Sequence, residues 1–330
     1  MASASDNALL ESELRAWLAA RGVTVLTIAP LAGDVSARRY ARVALAAGGT
    51  AIAARYPAEL GAAQRRFESA GRLLAAAGVR VPRSLACDPA AGWSLVEDLG
   101  GRTLYDLGGH GWPALEPYFE SAVDAAARVA ALDPAAVVAL GSPPLDRALL
   151  RRELEQTERC FLAPRGITDG GGEARAFLAA LDELCARLAA EPAVPCHRDF
   201  MARNLVPVGD RDLAVLDFQD LRLGPPGYDL ASLLNDSLFP PPEVEARLLA
   251  RATGRAEPAA GYLRAVAQRA LKAVGTFAAF AERGSDRHLP LIGPTLARAA
   301  AALARLPETA PSFARLASRL APHLPPESIC

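Results

Sequence analysis

The sequence lacks an excess of charge of either sign and lacks a long apolar run. Its 36 basic and 37 acidic residues leave a formal net charge of -1, which argues against nucleic-acid binding, because such binding depends on an excess of lysine and arginine. No uninterrupted apolar stretch reaches the roughly 18 residues of a membrane helix. The first residues contain neither the basic nor the apolar segment of a signal peptide. We therefore expect a cytoplasmic protein with no nucleic-acid and no membrane partner.

The sequence also lacks closely spaced cysteine pairs and contains almost no lysine. The five cysteines show no CxxC spacing, so neither a disulfide framework nor a zinc site is indicated. Lys272 is the only lysine among the 36 basic residues. Together with the high alanine content, this bias is typical of genome composition rather than of function. Chemistry that needs a lysine elsewhere in the chain must therefore use another residue.

What the sequence does contain is material for a large core, because 51% of its 330 residues are hydrophobic. The pattern of the first hundred residues predicts a helix over 8–21, a three-stranded antiparallel meander with a hairpin at Gly48-Gly49, and a helix over 59–77 that ends at Gly78. Two further strands are predicted, the first from residue 79 and the second from residue 93.

The character of the chain changes near residue 100. From there on it is mostly alanine- and leucine-rich helical pattern, interrupted by proline and glycine. A chain of this length is typical of two domains or of one two-lobed unit. We predict an α+β fold with a β-rich N-terminal lobe over residues 1–100 and a larger helical C-terminal lobe over residues 101–330.

The segment 196–234 carries the residues that indicate chemistry. It contains His197-Arg198-Asp199, then Asn204 five residues after the aspartate, and Asp217 at the end of an apolar strand. HRDxxxxN followed by a strand-terminal DF is the spacing of kinase catalytic and metal loops. Phosphoryl transfer needs a carboxylate that orients the acceptor hydroxyl and takes its proton, a role that suits Asp199. It also needs hard oxygen ligands for Mg²⁺, which Asn204 and Asp217 offer.

Two neighbouring residues have structural interpretations. His197 is expected to be a hydrogen-bonded scaffold residue rather than a general base. Asp229 is expected either to cap the following helix or to tie the loop that carries Asp199, since aspartate is a favoured helix cap. A hairpin formed by residues 205–208 and 213–218 would bring the two proposed metal ligands together.

With these motifs the sequence resembles the aminoglycoside phosphotransferase/choline kinase superfamily, whose fold is protein-kinase-like. CHRDFMARNL is similar to the HGDxxxxN loop of that superfamily, and LDFQDLRLGPPGYDLASLL is similar to its metal loop and following helix. Together with the early GDVSARRY, these motifs are closer still to the kinases of bacterial peptidoglycan recycling that phosphorylate N-acetylmuramate and N-acetylglucosamine at the anomeric C1 hydroxyl. The resemblance covers about residues 30–235. It implies ATP and Mg²⁺ as cofactors and a small-molecule sugar as substrate, in an enzyme that we expect to be a monomer.

The resemblance also implies the nucleotide-binding residues. The phosphate-covering turn falls on residues 34–38, where Ser36 and Arg38 would face the phosphates. The interlobe hinge falls on residues 96–99, so that Glu97 and Leu99 would lie beside adenine.

Two lysines of the superfamily are missing. The lysine expected on the third strand is absent, and Arg55 lies nearest its place, either as a phosphate ligand or as a solvated charge, with Glu68 as a possible partner. Met201 stands two residues after Asp199, where a second lysine is common. Arg203 or Arg38 is therefore expected to meet the charge on the transferred group.

The acceptor leaves alternatives open. Gln219 and Asp220 follow Asp217 and would contact sugar hydroxyls, or else hold the metal loop. A cationic acceptor of the aminoglycoside or choline type would need carboxylates or an aromatic cage, and only 6% of the residues are aromatic. The missing lysines allow a third reading, a degenerate nucleotide-binding pseudokinase with a regulatory role.

Overall fold

An antiparallel sheet dominates the first part of the structure. The computed structural model describes residues 4–31, 37–168 and 171–325. The sheet has five strands, β1 (Val25–Leu31), β2 (Arg39–Leu45), β3 (Thr50–Arg55), β4 (Ser84–Asp88) and β5 (Trp93–Glu97). They pair in the order β1-β2-β3-β5-β4, and each adjacent pair is antiparallel. The predicted meander is confirmed, and β5 and β4 extend it.

Glycines shape the hairpin and the end of one helix as predicted. Gly48 and Gly49 connect β2 to β3 with φ values of 95° and 80°, which glycine adopts without a steric cost. Helix α1 (Ala4–Ala19) precedes the sheet, and helix α2 (Gly61–Ala76) follows β3. Gly78, with a φ of 75°, stops the chain from continuing α2.

The two faces of the sheet meet different surroundings. Side chains alternate along a strand, so Ala51 and Ala53 of β3 lie on one face, and Ile52 and Ala54 lie on the other. The first face packs against α1 in a core of Leu14, Trp17, Leu18, Ala41, Val43, Ala51, Ala53, Trp93 and Leu95. The second face is left to line a cavity.

The strand that the sequence predicts from residue 79 is shorter than expected. Strand β4 begins only at Ser84, because residues 79–83 turn toward the second part of the chain. The carbonyl of Arg80 accepts a hydrogen bond from the backbone N–H of Val215 at 2.8 Å. Val79 and Val81 are buried in the core of that second part. This segment therefore connects the sheet to the helical region.

The rest of the structure is mainly helical. The helices are α3 (Trp112–Ala130), α4 (Pro134–Val138), α5 (Arg147–Thr157), α6 (Gly172–Ala189), α7 (Tyr228–Leu234), α8 (Pro242–Thr253), α9 (Ala260–Glu282), α10 (Leu289–Arg305) and α11 (Ala310–Leu320). Two short antiparallel pairs lie among them, β6 (Val194–Cys196) with β9 (Arg222–Gly224), and β7 (Leu205–Pro207) with β8 (Leu213–Val215). Within the described residues, no helix combines the length and the apolar character that crossing a bilayer requires.

Helix α9 is the central helix of this region, in contact with α5, α6, α7 and α10. Its approach to α5 is very close at Gly275. A Cβ at that position would lie 2.5 Å from the backbone N and 2.7 Å from the Cα of Thr157. The hydroxyl of Thr157 donates to the carbonyl of Leu271 at 2.7 Å. This crossing fixes how the polar side chains of α9 and α5 meet.

Candidate active site

The hairpin of β7 and β8 brings Asn204 and Asp217 together. Leu205 pairs with Val215, and the N–H of Leu216 donates to the carbonyl of Asn204 at 2.8 Å. Asn204 comes directly before β7, and Asp217 lies just beyond the end of β8. The two side chains therefore flank the same end of the hairpin, where both line one cavity.

Asp199 is tied to this pair through the loop 197–204. Nδ2 of Asn204 donates a hydrogen bond to the backbone carbonyl of Asp199 at 2.8 Å. Because the amide nitrogen is used in this bond, the orientation of the Asn204 side chain is fixed and its oxygen is left for another partner. The structure thus brings together the three residues that the motif spacing singles out.

The loop 197–204 is held from within by buried side chains. The carboxylate of Asp229 accepts hydrogen bonds from the backbone N–H groups of His197 at 2.7 Å and Arg198 at 2.9 Å. Nε2 of His197 lies 2.8 Å from the carbonyl of Leu216, and it must donate, because a carbonyl only accepts. The expected scaffold role of His197 is confirmed, and Asp229 ties the loop, since the residue before α7 is Gly227.

These bonds support two residues in an unfavourable backbone conformation. Among the described residues, Arg198 (φ 79°) and Asp217 (φ 59°) are the non-glycine residues with positive φ. Such conformations cost on the order of 1–3 kcal/mol each and persist where the surroundings enforce them. Both flank the proposed chemistry, Arg198 directly before Asp199 and Asp217 at the proposed metal position.

Cations surround the carboxylate of Asp199. Its Oδ1 lies 3.2 Å from Nη2 of Arg269 and 3.3 Å from Nζ of Lys272. Its Oδ2 lies 3.8 Å from Nη1 of Arg198. Burial alone would raise the pKa of Asp199, but Lys272, Arg269 and Arg198 outweigh it and hold that pKa well below its ordinary value. Asp199 is therefore ionised throughout the physiological range.

A buried glutamate balances these cations. Glu153 on α5 lies 2.7 Å from Arg198 Nη2 and 3.2 Å from Lys272 Nζ. Burial favours its neutral form, but Lys272 and Arg198 lower the pKa of Glu153 overall. The sequence did not reveal Glu153, Arg269 or Lys272 as site residues. One signal was available, because a single lysine in a chain that otherwise uses arginine invites a specific role.

A cavity of about 350 Å³ lies between the sheet and the hairpin. Apolar side chains from β2, β3, β5 and the hairpin form its walls, and Arg38, Asn204, Asp217 and Gln219 lie at its rim. This combination of an apolar slot and a polar edge suits a nucleotide. A larger cavity of about 970 Å³ adjoins it at Phe67, Pro82 and Glu97, but contains neither Asn204 nor Asp217.

Arg38 occupies the polar edge of this cavity. Its guanidinium lies 5.7 Å from the ring centre of Tyr40 and 5.8 Å from that of Tyr56. Burial works against the charged form, yet Tyr40, Tyr56 and the carboxylate of Asp217 raise the pKa of Arg38. A cation and the proposed metal ligand thus line the same cavity and interact electrostatically.

The structure places Arg55 away from the cavity that its predicted nucleotide role requires. The alternation of β3 places Arg55 with Ala51 and Ala53, on the face that packs against α1. Its guanidinium lies 5.3 Å from the ring centre of Trp93 and donates to the carbonyls of Tyr56 and Ala91. It therefore cannot reach a ligand in the cavity.

Of the other residues predicted to bind the nucleotide, two line the cavity and one lies outside the described residues. Glu97 and Leu99 line the cavity, but the Glu97 carboxylate is engaged by Arg80 at 2.7 Å and Arg83 at 3.4 Å. The side chain of Glu97 is therefore occupied, and its backbone N–H donates to the carbonyl of Arg83 at 2.9 Å, so its contact with adenine stays a prediction. Ser36 lies outside the described residues.

Arg203 points away from the nucleotide cavity. Its guanidinium lies 4.8 Å from the ring centre of Tyr105 and 5.6 Å from that of Phe277. Nη1 lies 3.7 Å from Asp236. The contacts of Arg203 are thus with the helical region, and its predicted role in catalysis stays a prediction.

Gln219 and Asp220 both hold neighbouring loops. Nε2 of Gln219 donates to Oδ1 of Asp217 at 2.8 Å. Asp220 pairs with Arg198 at 3.0 Å and Arg222 at 3.2 Å, yet 37% of its side chain is exposed. Side-chain contacts therefore explain both residues structurally, and their contacts with a sugar stay a prediction.

The donor set at the hairpin fits Mg²⁺. Asn204 and Asp217 offer an amide oxygen and a carboxylate, the hard ligands that Mg²⁺ prefers. The described residues contain no group of three or more His, Cys, Asp or Glu side chains that could hold a metal by themselves. Mg²⁺ commonly binds through one or two protein oxygens, with phosphates and water completing its shell. The site therefore suits a cation that arrives with a nucleotide.

Comparisons with known proteins identify the family of the chain. Residues 27–266 match the family described as "Phosphotransferase enzyme family". An N-acetylmuramate/N-acetylglucosamine kinase of Pseudomonas aeruginosa is 37% identical over 269 residues, which cover 77% of this chain and 78% of that protein. A protein of the same name from Neisseria meningitidis is 31% identical over 258 residues, covering 72% and 75%.

Solved structures show the same fold at low identity. The choline kinase LicA of Streptococcus pneumoniae superposes with a TM-score of 0.58 and 16% identity, over 93% of this chain and 99% of that one. The ADP-bound aminoglycoside phosphotransferase APH(2'')-Ib gives a TM-score of 0.61 and 14% identity, over 93% and 99%. The predicted two-lobed, protein-kinase-like α+β fold is confirmed.

Proposed function

The chain belongs to the phosphotransferase enzyme family, and we propose that it transfers the γ-phosphoryl group of ATP to a hydroxyl group of an amino sugar. As a member of that family it is an enzyme that phosphorylates a hydroxyl acceptor. The observation that supports the proposal most strongly is that Asn204 and Asp217 line one cavity, while Asn204 is hydrogen-bonded to the backbone of Asp199 at 2.8 Å. Each of the three supplies an oxygen that phosphoryl transfer requires.

Asp199 orients the acceptor and takes its proton. The hydroxyl oxygen forms a bond to the γ-phosphorus while the bond from that phosphorus to the β,γ-bridging oxygen breaks, so ADP leaves and the hydroxyl proton passes to the carboxylate. A carboxylate with a pKa this low is a weak base. It therefore acts mainly by orienting the hydroxyl and accepts the proton late, as a loose transition state allows.

Asn204 and Asp217 would hold Mg²⁺, which neutralises charge on the phosphates when bound. Gln219 fixes the Asp217 carboxylate through the bond at 2.8 Å. Arg38 supplies a further positive charge at the same edge. Glu97 and Leu99 line the cavity and would lie beside adenine. Ser36 would face the phosphates, as the resemblance implies, and Arg203 would meet charge on the transferred group in the absence of the family lysines.

We propose N-acetylmuramate and N-acetylglucosamine as the acceptors, and the anomeric C1 hydroxyl as the point of transfer. The support is the name that the relatives at 37% and 32% identity share, together with the motifs of the segment 196–234. A monomeric, cytoplasmic enzyme divided into lobes at residue 100 remains our prediction.

³¹P NMR of the product tests the acceptor and the position of transfer together. The protein is incubated with Mg·ATP and each sugar, with choline and an aminoglycoside as competing acceptors and the Asp199→Asn variant as control. We expect a sugar phosphate whose phosphorus couples to the anomeric proton, formed about 10²–10⁴-fold more slowly by the variant. Transfer to choline or the aminoglycoside alone would identify a cationic-acceptor kinase. ATP binding without transfer to any acceptor would identify a pseudokinase.

A further inference from the structure

Lys272 occupies a position that the proposed chemistry does not yet explain. Its Nζ lies 3.3 Å from Oδ1 of Asp199 and 3.2 Å from Oε1 of Glu153, and only 14% of its side chain is exposed. The lysine therefore bridges α5 and the loop 197–204 from its place on α9. It is separated from Asp199 by 73 positions in the sequence.

The two oxygens of Asp199 have different partners. Arg269 and Lys272 are three residues apart on α9, so they lie on one helix face, and both address Oδ1, at 3.2 and 3.3 Å. Oδ2 has an ion pair with Arg198 at 3.8 Å, which is too long for a hydrogen bond. One oxygen is thus held by the protein, and the other is available to a ligand.

Lys272 is itself held in place. Glu153 accepts hydrogen bonds from Arg198 at 2.7 Å and from Gln268 at 3.2 Å. Glu153 therefore has a fixed carboxylate that anchors the ammonium of Lys272 at 3.2 Å. The close crossing of α9 and α5 at Gly275 fixes the two helices that carry Lys272 and Glu153 against each other. A compact ammonium can donate to both carboxylates, whereas a planar guanidinium requires a different geometry.

We propose that Lys272 is a positioning residue for phosphoryl transfer, which holds Oδ1 of Asp199 so that Oδ2 meets the acceptor hydroxyl. The inference rests on the proposed kinase function. It would also compensate for the lack of a lysine within the loop 197–204, where Met201 stands two residues after Asp199. The ammonium comes instead from α9. A misplacement of about 1 Å costs on the order of 10²-fold in rate, so loss of Lys272 is expected to act on turnover.

The test measures kcat and both KM values for Lys272→Ala and Lys272→Met, with Arg264→Met as matched control. Arg264 is also on α9 and similarly buried, with 13% of its side chain exposed, and pairs with Glu191 and Glu308 rather than with Asp199. We expect kcat to fall about 10²-fold in both Lys272 variants, with KM for ATP and sugar within about threefold of wild type. Arg264→Met should keep the wild-type kcat. Ethylammonium added to Lys272→Ala should restore turnover in a saturable manner.

Two results would overturn the proposal. The first is a kcat within about threefold of wild type in either Lys272 variant. The second is a loss in Lys272→Ala that ethylammonium does not reverse, or that Arg264→Met reproduces, since either would show general damage to α9. Thermal melting of each variant shows whether it is folded, and Lys272→Met keeps the volume of the side chain if Lys272→Ala is unstable. Absence of transfer by the wild-type protein would instead refute the proposed kinase function.

Discussion

His197 donates a hydrogen bond from Nε2 to the carbonyl of Leu216, at 2.8 Å, and so joins the loop of Asp199 to the loop of Asp217. The imidazole is fully buried, and the bond that it makes lies beside the cavity that Leu216 lines. Relative motion between the proposed base and the proposed metal ligand is thereby restricted. The bond thus belongs to the scaffold that connects the two loops.

Replacing His197 by leucine should lower the free energy of unfolding by about 1 kcal/mol, because it removes a hydrogen bond to the partly buried carbonyl of Leu216. Urea denaturation measures this loss, and kcat should fall with it. His197→Gln retains a donor and should recover part of both. A leucine variant that unfolds at the wild-type urea concentration would show that the bond contributes nothing to stability.

Asp217→Ala should abolish the dependence of nucleotide binding on Mg²⁺. The carboxylate is the only charged ligand that we assign to the cation, and alanine removes it without adding bulk. Calorimetric titration with ATP, once in the presence of Mg²⁺ and once in the presence of EDTA, measures how far nucleotide affinity depends on the cation. Asp124→Ala is a suitable control, because Asp124 forms a surface ion pair with Arg251. An unchanged Mg·ATP affinity in Asp217→Ala would remove Asp217 from the metal site.

The sequence predicts the residues that meet through short-range pairing. Asn204 and Asp217 are joined by one hairpin, and Asp199 lies in the loop that leads into it, so the motif spacing is sufficient to place them together. Asp229 is farther away in the chain. The sequence left two roles open for it, capping α7 or hydrogen-bonding the loop 197–204, and the structure shows the second.

Residues that meet through helix packing could not be predicted in this way. Lys272 and Arg269 reach Asp199 because α9 crosses α5 at Gly275, and no local pattern in the sequence specifies that crossing. Arg55 shows the same limit in a strand, because a shift of one position changes the face of the sheet on which a side chain lies. In the sequence, Arg55 is the basic residue nearest the position on the third strand where the family has a lysine. In the structure, the register of β3 places its side chain on the face that packs against α1.

Arg55 is therefore a suitable control for a test of Arg38 at the nucleotide site. Both guanidinium groups lie near aromatic rings, Arg38 by Tyr56 and Arg55 by Trp93, but only Arg38 lines the cavity. Arg38→Met should raise KM for ATP by about tenfold or more, the value of a hydrogen bond to a charged group. Arg55→Met should leave that KM unchanged. Initial rates at varied ATP measure both, and equal effects of the two substitutions would contradict the assignment of faces.

Gly275→Ala should destabilise the fold and slow turnover together. The added Cβ would lie 2.5 Å from the backbone N of Thr157, and backbone atoms cannot move aside without displacing α5 or α9. Overpacking of this kind costs about 1–3 kcal/mol, measurable as a lower urea midpoint.

The control for this substitution is Gly172→Ala at the start of α6, where a Cβ would meet no atom within 4 Å. It should keep the wild-type midpoint or exceed it slightly, because alanine loses less backbone entropy than glycine. Since displacement of α9 also moves Lys272 away from Asp199, kcat should fall in Gly275→Ala and not in Gly172→Ala. A Gly275→Ala variant with wild-type stability and turnover would show that the helices separate without cost, and that their crossing does not set the position of Asp199.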